Sequence, residues 1–355
     1  MKDIFICESA SVKDTLKRLD KTAEKVLLIT DAENRLLGTI TDGDIRRYIL
    51  KGRNLEDDIR EVYNKSPFFI KKRDSSIEHI KEILIKNKVY LLPIVDEERR
   101  IIDFITWSQA FSEGETEPRK ESKIDIPVVI MAGGEGTRLQ PFTKILPKPL
   151  IPVGDKPVIE LIIEEFKRYG VREYYLILNY KGKMIESYFS DAERDYKIGY
   201  VWEKEHLGTA GGLKIIEGMI SDIFIVSNCD VIVEADFEEV VNLHKEIGAS
   251  MTILSSIQHY KIPYGVIKFQ EKGVVSDIFE KPEYTFAVNT GVYLLNRDSL
   301  RFIPENSYFD MIDLIKSLIE SKRKVVTYPI NGNDYTDTGQ WEEYKKAVEK
   351  LQFVK

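Results

Sequence analysis

The sequence predicts an α/β protein in two parts: a tandem α/β repeat, followed by a longer segment built on a mostly parallel sheet. Three observations point there. The first part repeats itself at a constant offset, the second alternates strands with amphipathic helices, and a charged stretch with almost no apolar content separates them. At 355 residues the chain exceeds one typical domain. With 43% apolar and 31% charged residues, either part can bury a core.

In the repeat, SASVKDTLKRL from Ser9 aligns with DSSIEHIKEIL from Asp74, and KVLLITDAENRLLGTIT from Lys25 aligns with VYLLPIVDEERRIIDFIT from Val89. Asp31 then matches Asp96, and Thr41 matches Thr106, without a gap. Each copy reads as a helix, a β-branched strand, an Asp-containing turn and a second strand ending in Thr. The seam is FSEGETEPRKESKID, from Phe111 to Asp125, too polar to bury much against anything. This places the repeat pair at 1–112, a linker at 113–124 and the larger domain at 125–355.

From Ile126 the order is PVVIM as a strand, VIELIIEEFKRYG as a helix, YYLILNY and IGYVWE as strands, a helix around GGLKIIEGM, and IFIVSN as a strand. Such alternation implies helices on both faces of a mostly parallel sheet, with ligands held beyond the carboxyl ends of its strands. The first such end is Met131, so GGEGTRL sits where a nucleotide would bind. Gly133, Gly134 and Gly136 let backbone amides, including those of Glu135 and Thr137, approach phosphate oxygens, and Arg138 adds a charged fork. The string is neither a Walker A loop nor a dinucleotide-binding fingerprint. Lys148 follows between two prolines that hold its backbone extended.

Composition excludes several classes. A net charge of -7 argues against a nucleic-acid binder, which needs a basic face to neutralise phosphates. No apolar run approaches a membrane span and no signal-peptide pattern follows Met1, so a cytoplasmic protein is expected. Cys7 and Cys229 are too few and too far apart for a disulfide framework or a zinc site, and both are expected to remain thiols. His79, His206, His244 and His259 show no metal-ligand spacing and receive no catalytic role.

Taken with its continuation, the glycine loop resembles the signature of sugar-phosphate nucleotidyltransferases, G-G-x-G-T-R-L-x-P-x-T-x-x-x-P-K-P-L, at every fixed position. The resemblance implies a Rossmann-like, mostly parallel mixed sheet of the GT-A-like kind, and covers the chain from Asp125 to about Tyr344. Later strings fit it in order. It implies that Asp230 in SNCD and Asp337 in YTDTGQW hold Mg2+. Tyr264 and Gly265 in YGVI, Glu280 and Lys281 in FEKP, and Asn289 and Thr290 in NTGVYLL are implied on the sugar side. Gly208 and Thr209 of EKEHLGTAGG join the nucleotide site. The implied reaction is direct displacement at the α-phosphorus with pyrophosphate leaving, in which Arg138 grips the pyrophosphate, Lys148 stabilises the phosphate under attack and Lys281 anchors the incoming one. A sugar 1-phosphate, with a second pKa of about 6, needs no general base to attack. Positioning and charge neutralisation carry the catalysis.

Glu203 bears on the base, lying five residues before Gly208 where uridylyl- and thymidylyltransferase relatives generally carry Gln. Guanine presents two adjacent donors, which an ionised carboxylate accepts together. Glu203 therefore points to GTP, unless it only ends a strand in solvent. The surrounding strings look most like mannose-1-phosphate guanylyltransferases. The two repeat copies resemble a pair of CBS modules, which in many relatives bind adenosine nucleotides, and GTITDGDIRR places Thr41 and Asp44 at the ligand positions. In the second copy Gln109 replaces the Asp, so one site is expected rather than two. Asp44 also fits the simpler role of a helix cap. A CBS pair ahead of a short guanylyltransferase resembles the glucosamine-1-phosphate guanylyltransferases of legionaminic acid synthesis. GTP and a hexose 1-phosphate, glucosamine or mannose, are the implied substrates, and a homodimer is the implied assembly. A silent nucleotide sensor and a uridylyl- or thymidylyltransferase of the same fold stay open as alternatives.

Overall fold

The structure, a computed structural model, describes residues 4–22, 24–87, 89–111, 124–190, 194–220 and 222–352. The predicted linker lies outside the described residues over 113–123. The chain divides into two compact units: residues 1–120 with 259–285, and residues 121–258 with 286–355.

The first unit shows the repeat in its hydrogen bonding. In one copy Phe5–Cys7 runs parallel to Val26–Thr30, which pairs antiparallel with Leu36–Thr41. In the other, Ile70–Lys71 runs parallel to Leu91–Val95, which pairs antiparallel with Ile101–Thr106. Register is the same in both: Val26 faces Thr41, Leu91 faces Thr106, and each hairpin shifts register one residue before its strand ends. The Asp turns match too. Asp31 Oδ1 accepts from the amides of Glu33 and Arg35, and Asp96 Oδ1 accepts from those of Glu98 and Arg100. The two turns then bond to each other, Leu36 N to Arg99 O at 2.9 Å and Ile101 N to Asn34 O at 3.0 Å. Helices Val12–Thr22 and Ile77–Asn87 bury one apolar stripe each, through Leu16 and Leu19 and through Ile80 and Leu84.

Residues 259–285 add a two-stranded antiparallel ribbon, Val266–Phe269 against Val275–Phe279, to this unit. Lys17 on the first repeat helix forms an ion pair with Glu283. His259 lies 3.6 Å from Asp20 and bonds to Thr285 at 2.9 Å.

The second unit is organised by a seven-stranded sheet. Its order is Lys197–Trp202, Glu173–Leu178, Val128–Met131, Ile223–Asn228, Glu283–Asn296, Met251–Lys261 and Val325–Ile330. The first four run parallel; Glu283–Asn296 pairs antiparallel with Ile223–Asn228, which makes the sheet mixed. Strands buried on both faces read as unbroken apolar runs, as VVIM and IFIVS do. Helix Val158–Lys167 packs one face through Ile159, Ile162, Ile163 and Phe166, while the turn Gly212–Ile216 and helix Met311–Glu320 cover the other through Leu213, Ile216, Leu314 and Leu318. Buried His244 ties helix Phe237–Ile247 to the sheet, its ring bonding Thr252 at 2.8 Å and Asn296 at 3.1 Å. No described helix is long and apolar enough to cross a membrane.

Candidate active site

The parallel strands Val128–Met131 and Ile223–Asn228 end side by side, Met131 opposite Asn228. Beyond them opens a cleft of about 250 Å3, walled by Gly133, Gly134, Gly136, Thr137 and Arg138 on one side and by Asn228, Cys229 and Asp230 on another. Gly136 adopts φ 67°, and a β-carbon there would come within 2.9 Å of Thr143 and 3.1 Å of Lys148. Only glycine serves at that position. The tight turn aims the chain back so that Lys148, from the 3-10 turn Lys148–Leu150, reaches the same cleft, while Arg138 stands exposed at its mouth. Thr137 and Glu135 are exposed beside it.

Asp230 and Asp337 converge. Val231–Val233 pairs with Tyr335–Asp337, Val231 opposite Asp337, and Thr338 donates through its amide and hydroxyl to the Asp230 carbonyl, both at 2.8 Å. Lys148 Nζ ion-pairs with Asp230 Oδ2. These groups surround the bare Cα of Gly339: a β-carbon there would collide with Asp230 Oδ2 and lie 2.8 Å from Lys148 Nζ and 2.9 Å from Asp337 Oδ1. Asp337 Oδ1 also accepts from Gly339 N at 2.7 Å, so it forms an Asx-type turn as well. Two carboxylates facing one space suit a hard divalent cation that takes its remaining ligands from water and phosphate oxygens. Among the described residues no third His, Cys, Asp or Glu joins them. Burial, and after it the charge of Asp230, pushes the Cys229 thiol up to about 12, and both cysteines are free.

The opposite wall holds Glu203, only 6% exposed. Its Oε1 is buried with no hydrogen-bond partner. Glycines make room for it: a β-carbon on Gly212 would collide with Oε1, and one on Gly133 would lie 2.8 Å from Oε2. Burial pushes its pKa up to about 7, with the Leu207 amide pulling the other way. The alternative of a solvated strand end is therefore not what the geometry shows. Gly208 and Thr209 line the cleft next to it. Thr209 donates to Asp310 Oδ1 through both N and Oγ1 at 3.0 Å, which anchors this loop to the start of helix Met311–Glu320. Partial burial opposes it, yet the hydrogen bonds from Thr209 and Tyr308 hold Asp310 below the ordinary carboxylate range.

The remaining predicted residues are placed elsewhere. Thr290 is buried and donates to Leu254 O at 2.8 Å, and Asn289 bonds Tyr293 and the Gly291 amide; neither lines the cleft. Tyr264, Gly265, Glu280 and Lys281 belong to the first unit, where Tyr264 is 75% exposed and Lys281 lies 3.9 Å from Glu280. Thr41 and Asp44 form a reciprocal cap on helix Asp42–Leu50: Asp44 Oδ2 accepts from Thr41 N at 2.9 Å and Thr41 Oγ1 at 2.7 Å, and Oδ1 accepts from Arg47. Thr106 and Gln109 form the matching cap. The capping role foreseen as the simpler option is thus the one the polar atoms display. The sequence reading passed over His206, which lines the cleft with its ring 5.9 Å from that of Tyr308, and Asn228, one residue inside the SNCD string.

Two outcomes follow for this geometry. Gly339→Ala is expected to retain the melting temperature within a few degrees while lowering any Asp230-dependent activity by roughly 10²-fold, because the colliding atoms are ends of side chains that can move. Glu203→Gln is expected to raise stability at alkaline pH. A carboxyl whose folded pKa exceeds its unfolded one is stabilising below the unfolded pKa and loses that contribution as pH rises through about 7. The gap in unfolding free energy between Glu203→Gln and wild type should therefore widen by up to about 3 kcal/mol from about pH 5 to about pH 8. A constant gap in denaturant melts would show that burial leaves this carboxyl unperturbed.

Comparison with known proteins places the segment that forms this cleft in a family. The family described as Nucleotidyl transferase matches residues 127–353, and the CBS domain matches residues 1–51 and 59–113. The chain is 32% identical over 241 residues to a UTP--glucose-1-phosphate uridylyltransferase of Synechocystis, covering 62% of each protein. It is 36% identical over 203 residues to a probable mannose-1-phosphate guanylyltransferase of Oryza sativa, covering 55% of this chain and 54% of that one. The chain thus spans less than two thirds of the length of these curated relatives. The crystal structure of HddC from Yersinia pseudotuberculosis complexed with GMP-PN superposes with a TM-score of 0.50 at 27% identity, over 64% of this chain and 99% of that one. The matched segment fills most of the chain and contains the whole cleft; this protein belongs to the nucleotidyl transferase family and carries CBS domains ahead of its transferase segment.

Proposed function

We propose that the protein is a sugar-1-phosphate nucleotidyltransferase that joins GMP from GTP to a hexose 1-phosphate and releases pyrophosphate. The observation that carries this reading is the convergence of Lys148, Asp230 and Asp337 on Gly339 beside the glycine loop. Two polyanions must meet there in line. The loop amides from Gly133 to Thr137 present donors to the nucleotide phosphates, and Arg138 at the mouth offers a bidentate fork for the departing pyrophosphate. Lys148 is held at the cleft by its ion pair, and in this reading its charge stabilises the negative charge that grows at the α-phosphorus. The sugar phosphate attacks as a dianion, and no side chain has to remove a proton from it. Asp230 and Asp337 would hold Mg2+, which would supply positive charge to neutralise phosphate oxygens.

The choice of GTP rests on Glu203. Glu203 lines the cleft and carries a buried, unpartnered oxygen, and an ionised carboxylate matches the paired donors of guanine where an amide would not. The mannose-1-phosphate guanylyltransferase of Oryza and the GMP-PN complex of the Yersinia protein support a guanine nucleotide, whereas the Synechocystis uridylyltransferase supports the wider class. Sugar identity is narrowed to hexose 1-phosphates, glucosamine and mannose first.

The CBS pair would sense adenine nucleotides through Thr41 and Asp44. The ribbon that carries Tyr264, Glu280 and Lys281 packs within the same unit, and the Lys17–Glu283 ion pair ties it to the first repeat helix.

Pyrophosphate release measured across NTPs and hexose 1-phosphates tests the activity. Mg2+-dependent turnover is expected with GTP foremost, reduced by roughly 10²-fold or more in Asp230→Asn. No turnover with any pair would leave a silent nucleotide sensor instead. For the CBS pair, adenine nucleotides are expected to shift turnover or melting temperature, and Asp44→Ala to remove the shift. Because Asp44→Ala also removes a cap of about 1 kcal/mol, the readout is the ligand-induced change and not the starting stability. An undiminished response would refute that site.

A further inference from the structure

Resting on the reading of Glu203 as the base-contacting residue, we infer that this side chain selects the base through its own protonation, so that the preferred nucleotide changes with pH. Ionised, it presents two acceptors, which pair with the N1–H and 2-amino donors of guanine. Protonated, it presents one donor and one acceptor, the pattern of the Gln it replaces, which pairs with the O4 acceptor and N3–H donor of uracil or thymine. Held in that pose, each form disfavours the other base, because an O–H would face an N–H, or a carboxylate would face a carbonyl oxygen, in a buried setting.

The geometry supports a carboxyl free to exist in both forms. Oε1 is buried and unpartnered, and the Gly133 and Gly212 backbones close on the group so tightly that no side chain at either position could solvate or pair with it. Asn179, from the end of strand Glu173–Leu178, turns its amide to the Glu203 backbone carbonyl at 3.3 Å instead of to the carboxyl. Charged groups on the surrounding elements have other partners: Lys181 donates to Thr143 O, Lys214 pairs with Glu217 at 2.8 Å, and Lys148 pairs with Asp230. Glu135 on the glycine loop, and Lys204 and Glu205 beside Glu203, are exposed, as is Arg138, which lines the same cleft. Burial is then the dominant influence, and it brings the titration to about 7, inside the physiological range. His206 also lines this cleft, and a variant at that position serves as the control.

The test is the ratio of kcat/KM for GTP to that for UTP, with one hexose 1-phosphate, on the full chain between about pH 6 and about pH 8.5. Taking a ratio removes every ionisation common to the two reactions, including those of the triphosphate and the sugar phosphate. The expected result is a ratio that climbs by up to about tenfold per pH unit. In Glu203→Gln it should be low and flat, and in His206→Gln it should keep its slope. A flat wild-type ratio, or no detectable turnover or competitive inhibition by UTP at about pH 6, overturns the protonation gate. If Glu203→Gln nevertheless exchanges GTP for UTP at fixed pH, the base-contact reading survives that failure; equal losses with both nucleotides would defeat the base-contact reading itself.

Discussion

Two hydrogen bonds onto one carbonyl hold the chemistry of the second unit in place. Thr338 donates from its amide and hydroxyl to Asp230 O, and Thr338 is almost wholly buried. Each bond contributes about 1 kcal/mol net, but a buried carbonyl left without them would cost about 1–3 kcal/mol, so the arrangement is strongly specified. It fixes the Asp337 turn against the end of strand Ile223–Asn228, although the two carboxylates are more than a hundred residues apart in the chain. Gly339 then follows from the spacing: with both carboxylates and Lys148 facing one Cα, a side chain there would have to push their ends out of place.

Glu203 is the opposite kind of feature, a local instability. Water would solvate the carboxyl better than Gly133, Gly212 and Ile177 do, and its raised pKa expresses that loss. An unpaired buried acceptor persists in a native protein only when the surroundings over-determine it, and such groups cluster where a ligand supplies the missing partner. The Thr209–Asp310 bonds brace the neighbouring loop, so the site does not relax by swinging Leu207 and Gly208 outward.

Much of this was legible in the sequence, and the parts that were not share a cause. The repeat offset carried straight into strand register, because Asp31 and Asp96 close the same turn and Thr41 and Thr106 end the same hairpin. The glycine loop and Lys148 were readable because φ restrictions at Gly136 and the flanking prolines are local properties. Tertiary choices were hidden. Nothing in YGVI or FEKP signals that residues 259–285 pack with the repeat unit, since that depends on pairs such as Lys17 with Glu283, far apart in sequence. Asp44 shows the reverse problem: one residue type serves a ribose or a helix N-terminus equally, and local hydrogen bonding had the nearer partner in Thr41. His206 escaped because it was weighed for metal spacing, whereas its position is set by the cleft wall and Tyr308.

Charge makes the proposed reaction demanding in a way the fold partly answers. The chain as a whole carries -7, yet at physiological salt fields decay over about 8 Å, so a triphosphate in the cleft responds mainly to the groups that line it. The cluster around Gly339 does not by itself welcome it. One ammonium at Lys148 stands against two carboxylates, at Asp230 and Asp337, and leaves the cluster negative. A divalent cation on the two carboxylates reverses that sign, and without one they would repel the phosphate that Lys148 attracts. Under the proposed reading, the two carboxylates are there for a cation, and the electrostatics of these three side chains support that reading.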